Sequence, residues 1–419
     1  STSAGTAGVD INVDAIFKEG NQGSGINVFI ADDGVEGTHE DLYNNLRKGF
    51  ARDYTKSGSY DANWVTLTDG TFSDGTPYHD DHGTSVAGLI AAEAMNSMGS
   101  RGVAPKAKIS VGNLLSGAVM NANGPTLDML LDQINQSVDV VNQSWGTSQD
   151  RLDFAENAYI DQMKQAATSG RSGKGMLIVK SAGNSFAVEV ASNTFRFGNV
   201  NFDGYNTTPY TVNVSAVNAK GNHSSYSSFG SAVWVAGPGG EFGDDAPAII
   251  TSDRTGCSAG HSQTTATTNA FDRGGSGNSS CKYTASFNGT SSAAPIVTGV
   301  IALILEDNPS LSWRDVKHIL ASTSRRLEPA ATKYNFPDST LTWPTGLVWE
   351  QGWVKNSAGF YFNNVYGFGL VDADAAVRFT KVYSPVLGTQ KESAWVSSSS
   401  NLNLSVPDNN ATGITNALT

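Results

Sequence analysis

Basic side chains are scarce in this chain. It has 27 Lys and Arg against 39 Asp and Glu, for a formal net charge of −12 over 419 residues. Nucleic-acid partners need a basic surface to meet phosphate, so that class is disfavoured. Charged residues of either sign make up only 16% of the chain, while glycine reaches 45, a balance that suits a loop-rich α/β protein and not a disordered or fibrous one. No apolar run approaches the roughly 20 residues of a membrane-spanning helix. No signal peptide opens the chain, which therefore reads as a mature, processed form. The glycine cluster Gly237-Pro238-Gly239-Gly240 lacks the Lys-Ser/Thr context of a phosphate loop. No Gly-x-Ser-x-Gly elbow occurs, which disfavours a lipase or esterase of the α/β-hydrolase plan. Cysteine is limited to Cys257 and Cys281. They bracket a loop rich in Gly, Ser and Thr, and its polar surroundings favour a disulfide in an oxidising compartment over two buried thiols.

What is present is a set of polar residues at the ends of apolar elements. Gly289-Thr290-Ser291 runs into Ile296, Val297, Val300, Ile301, Leu303, Ile304 and Leu305, which recur with helical spacing. Ser291 therefore stands at a helix start, among unpaired N–H groups at the positive end of the helix dipole. Such a serine is ordinarily only a cap. With a base nearby it becomes a nucleophile. His82, in Asp80-Asp81-His82-Gly83-Thr84, opens a second helix of small residues, and Ile26–Ala31 reads as a buried strand ending in Asp32-Asp33-Gly34. An acid at the carboxyl end of a buried strand is where α/β folds place functional groups. Asp, His, Ser is one of the known chain orders of the catalytic triad.

Strand-like runs at 26–31, 108–113, 138–142, 176–181, 211–217, 233–236 and 248–251 alternate with helical patterns at 84–94, 127–137, 151–168, 292–306 and 313–323. This alternation predicts an α/β fold with a doubly wound parallel sheet. At about residue 384 the character changes to a serine run (397–400) and a strand-like Leu402–Pro407.

Ala31-Asp32-Asp33-Gly34, His82-Gly83-Thr84, Ser144-Trp145-Gly146, Ser181-Ala182-Gly183-Asn184 and Gly289-Thr290-Ser291 together resemble the subtilisin superfamily of serine endopeptidases. Phe202-Asp203-Gly204-Tyr205, Leu311–Asp315 and Tyr366–Ala373 are similar to its kexin/furin branch. The resemblance implies a catalytic domain over 1–383, then a linker and the incomplete start of a P-domain-like β-sandwich over 384–419. It implies Asp32, His82 and Ser291 as the triad and Asn184 as the oxyanion donor. Asp33, Asp150, Asp203 and Tyr205 would line pockets for basic, even dibasic, peptide substrates. Asp150 follows a motif that lacks the branch's proline and falls one position late. Ser228 replaces a calcium-binding glutamate of the branch, so a calcium behind the first pocket is not carried over. A structural Ca²⁺ would take the side chains of Asp41 and Asn96 and the carbonyls of Glu93, Met98 and Ser100; the alternative is that Asn96 only shapes a turn. The resemblance further implies secretion and an N-terminal propeptide, chaperone or inhibitor as partner. A loose-specificity degradative enzyme and a non-catalytic, partner-dependent form remain as alternatives.

Overall fold

The computed structural model describes residues 5–56, 59–60, 64–122, 129–147, 149, 151–186, 188–191, 194–196, 198–243, 246–266, 269–328, 333–334, 350–385, 387 and 390. The chain divides into two units, Ser1–Tyr383 and Ser384–Thr419. The strand-like 402–407 lies outside the described residues, as does the start of the helical pattern at 127.

Seven parallel strands form the central sheet: β1 (Asn27–Ala31), β2 (Arg52–Asp53), β3 (Lys108–Gly112), β4 (Val140–Gln143), β5 (Leu177–Ser181), β6 (Thr211–Val217) and β7 (Val233–Pro238). Their spatial order is β7-β6-β5-β4-β1-β3-β2, closed at the β2 edge by the antiparallel pair of residues Ser59–Tyr60. β4, β5 and β6 are buried throughout and β1 and β3 at every residue but the first, as a helix-covered parallel sheet requires. From β1 the chain winds to one side through β2 and β3, then crosses over to β4, which pairs with the other side of β1. The crevice beyond the carboxyl ends of β1 and β4 is thus the topological switch point, where such sheets place ligands.

Two helices carry the chemistry to that crevice. α1 (His82–Ala91) and α2 (Thr290–Asp307) pack against each other. α2 is long and apolar enough to cross a membrane, but it is 83% buried inside the fold. Each of its Ile, Leu or Val side chains contributes about 1.5–3 kcal/mol by leaving water, so α2 is a core helix. The run at 248–251 departs from the expected parallel sheet. It forms β8 (Ile249–Ser252), antiparallel to β9 (Tyr283–Phe287), because its partner is the strand that leads into Ser291. The loop between these strands is closed by the Cys257–Cys281 disulfide. A cross-link over a loop of that size contributes on the order of 3 kcal/mol.

Candidate active site

Asp32 leaves the end of β1 almost fully buried, 2% exposed. Its Oδ1 accepts the Asp33 N–H at 2.9 Å and meets His82 Nδ1 at 2.9 Å. Its Oδ2 is buried without a partner among the described residues, so the imidazole is the main counterpart of this charge. Burial alone would lower the His82 pKa. The charge and hydrogen bond of Asp32, helped by Asp33 and Asp81, outweigh burial and lift it to about 9. With Nδ1–H held by Asp32, Nε2 is the ring atom left to accept a proton.

Asp33 explains why His82 sits where it does. Asp81, at the helix entry, makes no side-chain cap; instead Asp33 Oδ2 accepts the His82 N–H at 3.0 Å and Oδ1 accepts the Gly83 N–H at 2.7 Å. A carboxylate thus caps α1 from another element, with favourable dipole interaction. Burial beside Asp32 still pushes its carboxyl well up from the usual range. Gly83 permits this approach, since a Cβ there would stand 2.0 Å from the Gly34 carbonyl oxygen.

Ser291 is the second residue of α2, after Gly289 at φ 92°, a left-handed conformation that costs a residue with a Cβ. Ser291 Oγ donates to the Ser144 carbonyl at 3.1 Å, and Ser144 Oγ donates to the Ser291 carbonyl at 3.1 Å. The Ser291 carbonyl is available because residue 295 is proline and supplies no helical N–H. Ser144 is held in turn by Asn142 Nδ2 at 2.9 Å, and Asn142 Oδ1 accepts from Thr298 at 2.9 Å. This buried chain locks the β4 end to the helix bearing Ser291. Asn184, after β5, accepts the Thr290 N–H and hydroxyl on Oδ1, both at 2.9 Å. Its amide is thereby oriented with Nδ2, which has no partner among the described residues, as the donor end; a Cβ on Gly289 would stand 3.2 Å from that Nδ2 and 3.4 Å from the Ser291 nitrogen at the helix start.

Asp203 is fully buried: Oδ2 accepts the Thr147 N–H at 3.1 Å and Oδ1 the Tyr205 N–H at 2.9 Å. The Tyr205 ring packs edge-on against Trp145 at 6.1 Å. Asp150 lies outside the described residues. Sequence reasoning missed Lys180, whose Nζ stands 3.9 Å from Asp203 Oδ2 with both side chains 0% exposed. The signal was there: a lysine that follows Leu177, Ile178 and Val179 inside the strand Leu177–Ser181.

Two of the expected calcium ligands, Asn96 and Ser100, meet the Asp41 carboxylate, while Asn96 Oδ1 accepts the Met98 N–H at 3.1 Å and so shapes the turn. Asp41 accepts Asn96 Nδ2 at 2.7 Å and the Ser100 N–H at 2.9 Å, while its own carbonyl accepts the Glu93 N–H at 2.8 Å. Burial raises the Asp41 pKa, a cost that a cation would offset. Met95, Ser97 and Gly99 take φ values of 62°, 64° and 49°, so the loop holding Met98 curls in a conformation that needs compensation. Among the described residues no cluster of three His, Cys, Asp or Glu side chains could hold a metal. A donor set of one carboxylate, one amide and carbonyls fits a hard cation such as Ca²⁺. The Asn96 amide presents its NH₂ to Asp41 in this structure, and ion binding requires it to turn.

A doubly wound α/β fold with an aspartate–histidine pair and a helix-start serine at its switch point defines the subtilisin-like class of serine hydrolases. Comparison with known sequences gives the family: a profile of the Subtilase family matches residues 23–369, and the chain belongs to it. An extracellular serine protease of Aeromonas sobria is 34% identical over 92% of this chain and 62% of its own length. The human proprotein convertase subtilisin/kexin type 7 is 30% identical over 90% of this chain and 41% of its own. The crystal structure of the Aeromonas sobria protease superposes with a TM-score of 0.74 at 32% identity, covering 88% of this chain and 62% of that one. The same protease has also been crystallised with a chaperone. The chain thus spans about three-fifths of the Aeromonas relative and two-fifths of the human one.

Proposed function

We propose that this chain is the catalytic portion of a secreted serine endopeptidase. The observation that carries the reading is the His82–Asp32 bond at 2.9 Å, with the helix-start Ser291 bonded to Ser144 after the strand that pairs with β1. Ser291 Oγ turns from the Ser144 carbonyl, attacks the peptide carbonyl and passes its proton to His82 Nε2. Asp32 stabilises the imidazolium, and the oxyanion takes hydrogen bonds from Asn184 Nδ2 and the Ser291 N–H. His82 then protonates the departing amine. A water, deprotonated by the same imidazole, releases the acyl group. Because only neutral His82 accepts the proton, kcat/KM should rise with pH, half-maximal above the ordinary 6.5 and toward 9. Asp32→Asn should shift that limb downward. A half-maximum at or below 6.5 in the unaltered enzyme would contradict the pairing.

For substrates, we propose peptides with basic residues before the cut, on the resemblance that places Asp33, Asp150, Asp203 and Tyr205 around them. A broad-specificity reading is favoured by one observation, the Lys180–Asp203 ion pair. Peptides with Arg-Arg, Lys-Arg or Phe before the scissile bond separate the two. The basic reading expects a clear advantage for the first two, and equal rates on Phe would sink it.

Ca²⁺ at Asp41, Asn96 and the carbonyls of Glu93, Met98 and Ser100 is proposed as a structural ion. At a free concentration 100 times Kd it adds about 2.7 kcal/mol, so chelation should lower the melting temperature, and Asp41→Asn should abolish that response. The disulfide and the extracellular Aeromonas relative support secretion. That relative's complex with a chaperone supports a folding partner of chaperone or propeptide type.

A further inference from the structure

The first pocket is expected to draw a cation through Asp203, yet a cation is already there. Lys180 is fully buried in β5, and its ammonium stands 3.9 Å from Asp203 Oδ2. Nζ also donates to the Trp145 carbonyl and lies 4.3 Å from the centre of the Trp145 ring. Burial outweighs the opposing pull of Asp203 and brings the lysine down to about 8. The pair sits against the segment that follows Ser144, the partner of Ser291. A Cβ on exposed Gly146 would come within 2.8 Å of Asp203 Oδ2 and 3.5 Å of Lys180 Nζ. Both ends of the ion pair therefore lie just beneath the backbone of the active-site segment.

We propose that Lys180 is a specificity-determining residue: it neutralises Asp203 from inside the fold and weakens the preference for a basic side chain before the cut. The proposal rests on the endopeptidase reading and deepens it. A carboxylate selects a cation in a desolvated pocket when its charge is unmet. Here two backbone N–H groups and an ammonium meet it first, and an incoming guanidinium would share the acid with a like charge. Specificity then depends on what faces Asp203 as much as on Asp203 itself.

The test uses peptides differing only in the residue before the cut, Arg against Phe, and reads the ratio of their kcat/KM values. Lys180→Met keeps an unbranched side chain against Trp145 and frees the acid. The Arg/Phe ratio is expected to rise at least about 10-fold, mainly through a lower KM for the Arg peptide. An unchanged ratio in folded K180M overturns the proposal. The double variant K180M/D203N leaves no unpaired buried charge, which guards against simple misfolding. Its ratio should stay within about threefold of the unaltered enzyme, because Asp203 was already neutralised. A loss of about tenfold or more would mean that Asp203 acts as a free acid and would equally overturn it. Sulfonyl fluoride labelling of Ser291 in every protein keeps the two readings apart. Labelled enzymes with the wrong ratios overturn the role of Lys180, whereas unlabelled unaltered protein overturns the endopeptidase reading.

Discussion

Replacing Ser291 by alanine is expected to reduce kcat on the order of 10⁶-fold and to abolish labelling by a sulfonyl fluoride, while the melting temperature changes little. Among the described residues the hydroxyl makes one hydrogen bond, to the Ser144 carbonyl at 3.1 Å, a contact contributing about 0.5–1.5 kcal/mol. The features that shape the turn are untouched: Gly289 keeps its φ of 92°, and Ser144 still donates to the Ser291 carbonyl that Pro295 leaves open. The variant therefore removes the proposed nucleophile and preserves the proposed oxyanion donors, so a residue of about 10³–10⁴-fold acceleration over water should persist. His82→Ala should cost a similar factor, and the double variant barely more, because the two groups act as a unit. S291A retaining more than a few per cent of activity would remove the serine from the mechanism.

The parts of this fold legible in the sequence are those whose burial is nearly complete. β1, β3, β5 and β6 read as strand-like runs because both faces of a parallel sheet are covered, and the observed strands fall within a residue or two of the runs. β2 was invisible: two residues, Arg52 and Asp53, carry no periodicity. The run at 248–251 was read as a strand, but its antiparallel partner Tyr283–Phe287 lies some thirty residues on, and local pattern says nothing of pairing at that range. The site divides in the same way. Asp32 and His82 announce themselves as polar residues at element ends, and they meet in the structure. Asp33 shares its motif with Asp32, yet its carboxylate turns to the His82 and Gly83 N–H groups. The direction of a buried side chain is decided by which donors lack a partner, and sequence does not display that. Lys180 lies inside the strand-like run at 176–181, and the pattern that marks the strand does not show that a buried carboxylate faces the lysine.

Asn184→Asp is expected to lower kcat by about 10²–10³ with little change in KM, and Asn184→Leu by at least as much. The two variants divide the residue's work. Asn184 Oδ1 accepts both the N–H and the hydroxyl of Thr290 at 2.9 Å, and Gly183 N–H donates to the same hydroxyl at 3.1 Å. Those bonds tie the end of β5 to the start of α2. Aspartate preserves them and replaces only the donor end, so its melting temperature should stay near that of the unaltered protein. Leucine removes both functions and should also destabilise the fold, by about 1–3 kcal/mol for the buried groups left unpaired. The oxyanion exists only after attack, so losing its donor weakens transition-state binding and not substrate binding, which is why kcat carries the effect. If Asn184→Asp kept full kcat, the Ser291 N–H and the α2 dipole would have to stabilise the oxyanion alone. If instead KM rose while kcat held, Asn184 would be a substrate-binding group. A fall in kcat at constant KM and constant stability is the outcome that the fixed Oδ1 and free Nδ2 require.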